Sequence, residues 1–136
     1  MRMQPPTLED RAPAIADLDA LFRGFADPTR IRILNVLAAG ELCVCDIVRL
    51  LQLAQPTVSR HLAYLRRTGL VDARPELQFT YYALAEPRDT IHRNLIHCAR
   101  TCFRGIASLD QERVLAERAV IDRQDHPCAR GVRKGG

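Results

Sequence analysis

The chain has 136 residues, of which 47% are hydrophobic and 26% are charged, and its formal net charge is +4. This length suits one globular domain, and the composition excludes a disordered or fibrous protein. No apolar run reaches the roughly 18 residues of a membrane helix, and the start of the chain lacks the apolar core of a signal peptide. We therefore expect a cytoplasmic protein that does not enter a membrane.

The positive charge is concentrated in the middle of the chain. Residues 49–74 contain five arginines and one acidic residue, Asp72, so the rest of the chain is balanced. A basic segment in an otherwise neutral protein is typical of a nucleic-acid contact face, although a solvated helix face would give the same pattern.

The first third of the chain predicts an arm and two helices. Residues 1–13 contain three prolines and are expected to form a flexible N-terminal arm. A first helix is predicted over residues 14–23. Asp27 followed by Pro28 is the pattern of an N-cap and a proline in the first turn, so a second helix is predicted to begin there. We expect this helix to stop at Gly40.

The basic segment predicts two short helices joined by a tight turn. The first covers about residues 45–51, and the second covers about residues 56–68, after Gln55 and before Gly69. The second helix is polar in its first half and apolar on its inner face, as in a helix-turn-helix. Two strands, about residues 70–74 and 79–84, follow it as a hairpin. A hairpin directly after a recognition helix is the wing of a winged helix.

The last third predicts two further helices, over about residues 89–106 and 110–122, and a disordered basic tail at residues 124–136. The first of these helices has an apolar stripe that is expected to need a second copy of the chain. The predicted fold is therefore mainly helical (α+β): a winged helix-turn-helix with a two-stranded β-wing and flanking dimerisation helices, over residues 14–123. The stripe consists of Ile91, Leu95, Cys98, Cys102 and Ile106.

Five cysteines in a chain without an export signal indicate metal ligands or redox centres rather than structural disulfides. Cys43 and Cys45 form a C-x-C pair at the start of a helix, where unpaired N–H groups and the helix dipole favour thiolates. Two thiolates one residue apart suit a soft, thiophilic ion, although two small buried side chains at a helix start would look the same. Cys98 and Cys102 stand one helical turn apart, and Cys128 lies in the tail.

In order and spacing, these segments resemble the ArsR/SmtB family of winged-helix metal sensors, and ELCVCD points to its arsenic-responsive branch. The resemblance covers about residues 20–85. It implies a homodimeric repressor, not an enzyme, that binds an inverted repeat in double-stranded operator DNA. It also implies release from DNA when trivalent arsenic (arsenite) or antimony binds the thiolates of Cys43 and Cys45, with no organic cofactor. The matching segments are ADPTR (26–30), ELCVCDI (41–47), QPTVSRHL (55–62), GLV (69–71) and YY (81–82).

Three features depart from the pattern of related sensors. Val48 stands where arsenic sensors often have a third cysteine, so a third ligand must come from elsewhere, with Cys102 and Cys98 as candidates. The tip of the wing reads RPELQ (74–78), where the family tends to have basic residues and a glycine, so this wing is poor in positive charge. The histidines and aspartate of the long helix do not reproduce the spacing of the zinc sensors; these residues are Asp89, His92 and His97.

The resemblance also carries over the DNA-contacting residues at the start of the recognition helix. Polar side chains there can reach base edges, and exposed helix N–H groups can reach phosphates. Three arginines, Arg66, Arg67 and Arg74, are expected either to contact the DNA backbone or to solvate the end of the helix. The carried-over residues are Gln55, Thr57, Ser59, Arg60 and His61.

Other functions remain open from the sequence. The cysteines also suit a thiol-based redox sensor or enzyme, or a repressor that responds to cadmium, lead or zinc. A metal-storage or delivery protein is a further alternative, but it would leave the helix-turn-helix and the wing unexplained.

Overall fold

The computed structural model describes residues 14–123, so the predicted arm and tail lie outside the described residues. The described part of the chain is mainly helical with one small antiparallel sheet, which confirms the predicted winged helix-turn-helix. None of its helices combines the length and the apolar character that crossing a membrane requires. The elements are α1 (Ile15–Gly24), α2 (Pro28–Leu37), β1 (Leu42–Cys43), α3 (Val44–Leu51), α4 (Gln55–Thr68), β2 (Val71–Glu76), β3 (Phe79–Leu84), α5 (Thr90–Thr101) and α6 (Ala107–Arg123).

Helix α2 begins where its capping residues predict. The carboxylate of Asp27 accepts hydrogen bonds from the backbone N–H groups of Thr29, at 2.8 Å, and Arg30, at 3.1 Å. The helix ends at Leu37, earlier than the predicted Gly40. The next three N–H groups bond to carbonyls three residues back, which tightens the chain into a turn before the glycine.

The sheet contains a strand that the sequence did not predict. Strand order is β1-β3-β2, and both pairings are antiparallel. β2 and β3 form the predicted wing, although β2 continues to Glu76 instead of ending at residue 74. β1 has only two residues, and its Cys43 pairs with Tyr81 of β3. The start of α3 is therefore joined to the wing through backbone hydrogen bonds.

Helix α2 is central to the core, and α6 packs across it. Four of its apolar residues, Ile33, Leu34, Val36 and Leu37, are essentially inaccessible. The buried amide of Asn35 donates a hydrogen bond of 2.8 Å to the carbonyl of Leu109, near the start of α6. These contacts fix the C-terminal helix against the helix-turn-helix.

Helix α5 is shorter than predicted, and α6 starts earlier. The predicted helix continued to Ile106, but α5 ends at Thr101, and Gly105 adopts a left-handed φ of 92° before α6 begins. α6 begins at Ala107, so Asp110 lies inside its first turn instead of starting the helix. The carboxylate of Asp110 accepts a hydrogen bond from the N–H of Gly105. The buried face of α5 is formed by His92, Ile96 and Ala99. The predicted stripe is only partly covered: Ile91, Leu95 and Cys98 are half-buried, whereas Cys102 and Ile106 are exposed.

Candidate thiol site and nucleic-acid interface

Helices α3 and α4 form the helix-turn-helix. α3 ends at Leu51, and the next residue, Gln52, adopts a left-handed φ of 55° and turns the chain sharply toward α4. Pro56 lies in the first turn of α4, where its missing N–H leaves no hydrogen bond unmade. Gly69 ends the helix with a φ of 88°. The two helices pack directly against each other, so the position of α3 determines that of α4.

The predicted DNA-contacting residues lie on the outer face at the start of α4. Gln55 and Arg60 are exposed, and Thr57 and Ser59 are half-buried. Three apolar residues underneath, Val58, Leu62 and Leu65, are completely buried and hold this face outward. The polar surface is therefore presented by a helix that is anchored along its inner side.

His61 and the basic residues around it line a groove beside α4. The His61 imidazole lies 4.0 Å from the Asp27 carboxylate and is largely covered. Arg30 of α2 and Arg67 of α4 both approach the ring of Tyr64, with their guanidinium carbons 4.2 Å and 5.4 Å from its centroid. The groove has a volume of about 350 Å³. The sequence does not predict that Tyr64 belongs to this groove, because its ring contacts arginines from two different helices.

Arg74 and Arg66 lie in different electrostatic surroundings. Arg66 and Arg67 are exposed in the last turn of α4, as predicted for backbone contacts. Arg74, by contrast, pairs with Glu41 at 2.7 Å and also with Glu76. The Arg74 hydrogen bond lowers the pKa of Glu41. The predicted phosphate contact of Arg74 therefore competes with two carboxylates.

Cys43 and Cys45 flank the N-terminus of α3. Cys43 is the N-cap residue and is fully buried, whereas Cys45 lies in the first turn and is more accessible. Their Cα atoms are 5.4 Å apart, and their sulfur atoms are joined in a disulfide. The sequence led us to expect two thiolates instead. We refer to these two residues as the cysteine pair.

Asp46 completes a cluster with the cysteine pair. One of its carboxylate oxygens lies 3.3 Å from the Cys43 sulfur, and the other accepts a hydrogen bond of 3.1 Å from Arg49. The carboxylate is nearly inaccessible. The donor atoms of the three residues lie within 4.8 Å of one another. The sequence did not lead us to Asp46, although its position three residues after Cys43 in a helix start was a usable signal.

A cavity of about 450 Å³ opens beside Cys45. Its apolar lining comes from Val44 and Val48 of α3 and Phe79 of the wing. Gln55, the first residue of α4, also lines it. One cavity thus contacts Cys45 of the cysteine pair, the recognition helix and the wing.

Cys98 and Cys102 form a separate pair on α5. Burial raises the pKa of Cys98, and its hydrogen bond with Cys102 raises it further. Within residues 14–123, histidine, cysteine, aspartate and glutamate side chains gather in a metal-ligand-like group only at Cys43, Cys45 and Asp46. One protomer therefore does not bring Cys98 or Cys102 to the cysteine pair. Cys128 lies outside the described residues.

The other titratable residues of α5 connect this helix to the end of α4. Asp89 caps α5 by accepting the N–H of His92 at 2.8 Å. His92 is fully buried; its Nδ1 accepts the Arg88 N–H at 2.9 Å, so Nε2 carries the hydrogen and donates to the carbonyl of Gly69 at 2.7 Å. Burial lowers the pKa of His92. His97 is exposed on the other side of the helix.

The chain is similar to known regulatory proteins over its helix-turn-helix. Residues 27–73, from the cap of α2 into β2, match the family described as "Bacterial regulatory protein, arsR family". An HTH-type transcriptional regulator of Methanocaldococcus jannaschii is 44% identical over 69 residues, which are 50% of this chain and 78% of that protein.

Two further similarities extend beyond the helix-turn-helix. The arsenic resistance transcriptional regulator ArsR1 of Pseudomonas putida is 37% identical over 93 residues, which are 68% of this chain and 67% of that protein. The solved structure of HlyU from Vibrio cholerae superimposes with a TM-score of 0.57 at 34% identity. That match covers 65% of this chain and 94% of HlyU.

Proposed function

The chain belongs to the arsR family of bacterial regulatory proteins, and from that premise we propose that it is an arsenic- and antimony-responsive repressor. A homodimer binds an inverted repeat in operator DNA and leaves it when trivalent arsenic or antimony binds Cys43 and Cys45. The observation that carries this proposal is the position of the cysteine pair at the start of α3, against which the recognition helix packs. Operator binding implies that the protein acts in the cytoplasm.

In the proposed complex, each protomer of the dimer inserts α4 into the major groove. Two such helices would contact successive grooves about 34 Å apart, as in other helix-turn-helix dimers. Gln55 and Arg60 are free to reach base edges because the inner face of α4 is anchored by buried apolar residues. Arg66 and Arg67 contribute phosphate contacts, which make binding dependent on salt.

The cysteine pair is suited to control both DNA-contacting elements. Cys45 belongs to α3, which packs on α4, and Cys43 pairs with Tyr81 of the wing. A change in the geometry of the two sulfurs therefore displaces the recognition helix and the wing together. Coupling free energies between two sites are typically about 1–3 kcal/mol, which weakens DNA binding about 5- to 150-fold. We expect graded release of DNA rather than complete loss.

The chemistry of the donors supports a soft ligand. Sulfur is preferred by thiophilic ions, and two sulfurs with a carboxylate within 4.8 Å are present at the site. When the pair is reduced, Cys43 and Cys45 would hold the ligand. Cys98 or Cys102 of the partner subunit remains a proposed source of a third thiolate, since one protomer does not bring them together.

A titration of arsenite into protein bound to its own upstream DNA tests the proposal. With the cysteine pair reduced, we expect arsenite to raise the dissociation constant of the wild-type protein for DNA, measured by fluorescence anisotropy. The variant Cys43→Ser/Cys45→Ser should bind DNA equally well but show no arsenite response. Cys98→Ser/Cys102→Ser removes two thiols outside the pair; it should still respond to arsenite, and a response that needs more arsenite than the wild type would identify the source of the third thiolate. An arsenite response that survives Cys43→Ser/Cys45→Ser would contradict the proposal.

The disulfide itself favours a second candidate function, a thiol-based redox sensor. In this case a two-electron oxidation of Cys43 and Cys45, rather than ligand binding, changes the position of α3. DNA affinity measured with a thiol oxidant and with a phosphine reductant distinguishes the two candidates. If oxidation alone releases DNA and arsenite has no effect on reduced protein, the redox function replaces the metalloid function.

A further inference from the structure

We propose that the preferred ligand of the cysteine pair is a trivalent arsenical with one organic substituent, and that this substituent lies in the cavity beside Cys45. This inference rests on the proposed function, since it names the class of arsenical that the same two sulfurs bind. It is carried by two observations: the site supplies two sulfurs, and a cavity with three apolar side chains among its walls opens next to Cys45.

The cysteine pair can make only two of the three bonds of trivalent arsenic. Trivalent arsenic forms three bonds, and inorganic arsenite is best held when three thiolates replace its oxygens. At this site the third nearby donor is a carboxylate, which is a hard ligand, and Asp46 is already hydrogen-bonded to Arg49 at 3.1 Å. Val48, one turn after Cys45, offers no donor atom. A ligand whose third bond is already made to carbon needs only the two sulfurs.

The space beside Cys45 is large enough for an organic substituent on arsenic. The cavity of about 450 Å³ lies within the size range of sites that bind small organic molecules. Val44, Val48 and Phe79 provide apolar walls. The polar side chains of Gln55, Gln78 and Thr80 also line the cavity. An aryl or alkyl group on arsenic would exchange water for these walls, which favours binding in proportion to the apolar area buried.

The capture reaction balances without any redox change at arsenic. The disulfide must first be reduced to two thiols, with two electrons and two protons from a thiol reductant such as the low-molecular-weight thiols of a cell. Each thiol then replaces one hydroxyl of an organoarsonous acid. Two As–O bonds break, two As–S bonds form, and the two thiol protons leave with the hydroxyls as two waters. The arsenic–carbon bond is retained.

The same cavity explains how an organic substituent would affect DNA binding. Gln55 begins the recognition helix, and Phe79 and Thr80 begin the second strand of the wing. A group that fills the space between them contacts both DNA-binding elements directly. A larger substituent should therefore release DNA more effectively than a smaller one.

The test compares phenylarsonous acid, methylarsonous acid and arsenite on reduced full-length protein bound to its upstream DNA. The comparison is made on the wild-type protein, which retains every proposed thiolate, and on Cys98→Ser/Cys102→Ser/Cys128→Ser, in which only the cysteine pair can react. We expect half-maximal DNA release at concentrations lower by about tenfold or more for the phenyl than for the methyl compound, because the ring buries more apolar area. Intact mass should increase by the arsenical minus two waters, with the phenyl group retained.

Substitution at Val48 provides the matched variants. Val48→Cys adds a third thiolate one turn from Cys45 and should bring the arsenite response close to that of the phenyl compound. Val48→Ile, similar in size but without sulfur, should not improve the arsenite response. Circular dichroism confirms that both variants are folded.

The outcomes separate this inference from the proposed function. Equal responses to the phenyl and methyl compounds, or an arsenite response as sensitive as either, would overturn the inference but leave an arsenic-responsive repressor. If none of the three compounds releases DNA from reduced protein, or if release persists in Cys43→Ser/Cys45→Ser, the proposed function itself fails.

Discussion

Among the single residues, His92 connects α5 to the end of the recognition helix, α4. Its imidazole is completely buried, accepts the Arg88 N–H and donates to the carbonyl of Gly69. Arg88 also donates to the carbonyl of Thr68, at 3.3 Å. Two carbonyls at the C-terminus of α4, those of Thr68 and Gly69, are thus bonded by residues at or just before the start of α5.

This arrangement predicts acid sensitivity near neutral pH. Burial lowers the pKa of His92 below its usual 6.5, so the unfolded chain binds a proton before the folded chain does as the pH falls. The free energy of unfolding should therefore decrease below about pH 6.5, by at most about 1.4 kcal/mol per pH unit. Urea unfolding at several pH values measures this slope.

The variant His92→Gln supplies the control, since it keeps an N–H donor for Gly69 but does not titrate. We expect its unfolding free energy to change less between about pH 7 and about pH 5.5 than that of the wild type. Parallel slopes in the two proteins would mean that His92 does not bind the proton.

The sequence predicted some residues of the site but not their partners. Cys43 and Cys45 are close in the chain and share a helix start, so their proximity followed from the sequence alone. Tyr64 and Glu41 depend on arginines that lie far away in the sequence, at Arg30 and Arg74. Such interactions are determined by packing between elements, which local patterns do not specify.

At the scale of elements, predictions were accurate where capping residues mark the boundary. Asp27 and Pro28 located the start of α2, and Gly69 located the end of α4, because these residues favour or require particular backbone conformations. β1 was missed because two residues have no periodicity to recognise. The end of α5 was misplaced because the apolar pattern continues past Thr101 into the turn before Gly105.

The surroundings of the arginines predict different contributions to DNA binding. The logarithm of the association constant for DNA falls linearly with the logarithm of the salt concentration. Arg67→Ala should make this slope shallower by about 0.9 for each phosphate that Arg67 neutralises in the wild-type complex. Arg74→Ala should change the slope little, because Glu41 and Glu76 already neutralise Arg74. Binding isotherms at several salt concentrations measure both slopes, and a larger change for Arg74→Ala would place the wing on the phosphate backbone.

At the scale of the whole molecule, apolar side chains remain exposed on the first and last described helices. Ile15 of α1 is 83% exposed, and Ile121 of α6 is 69% exposed. Val114 and Leu115, in the middle of α6, are each at least half exposed. The sequence pattern predicts the dimer contact on the stripe of α5, whereas these exposed apolar side chains lie on α1 and α6.

If these side chains form the proposed dimer contact, Leu115→Glu should weaken dimerisation and, with it, operator binding. Burying a charge without a partner in an apolar interface is costly, so we expect monomers in sedimentation experiments at concentrations where the wild type is dimeric. Glu117→Lys, a charge change at an exposed position on the other side of the same helix, is the control. An unchanged sedimentation coefficient for Leu115→Glu would exclude this surface from the dimer contact.

The two-residue strand β1 has a consequence for how the protein can be observed. Cys43 and Tyr81 face each other across one short ladder, so disturbance at the sulfurs changes the protection of amides in a strand of the wing. Amide hydrogen exchange at residues 79–84 should accelerate when the cysteine pair reacts, even with no DNA present. The wing thereby becomes a built-in reporter of the chemical state of the sulfurs.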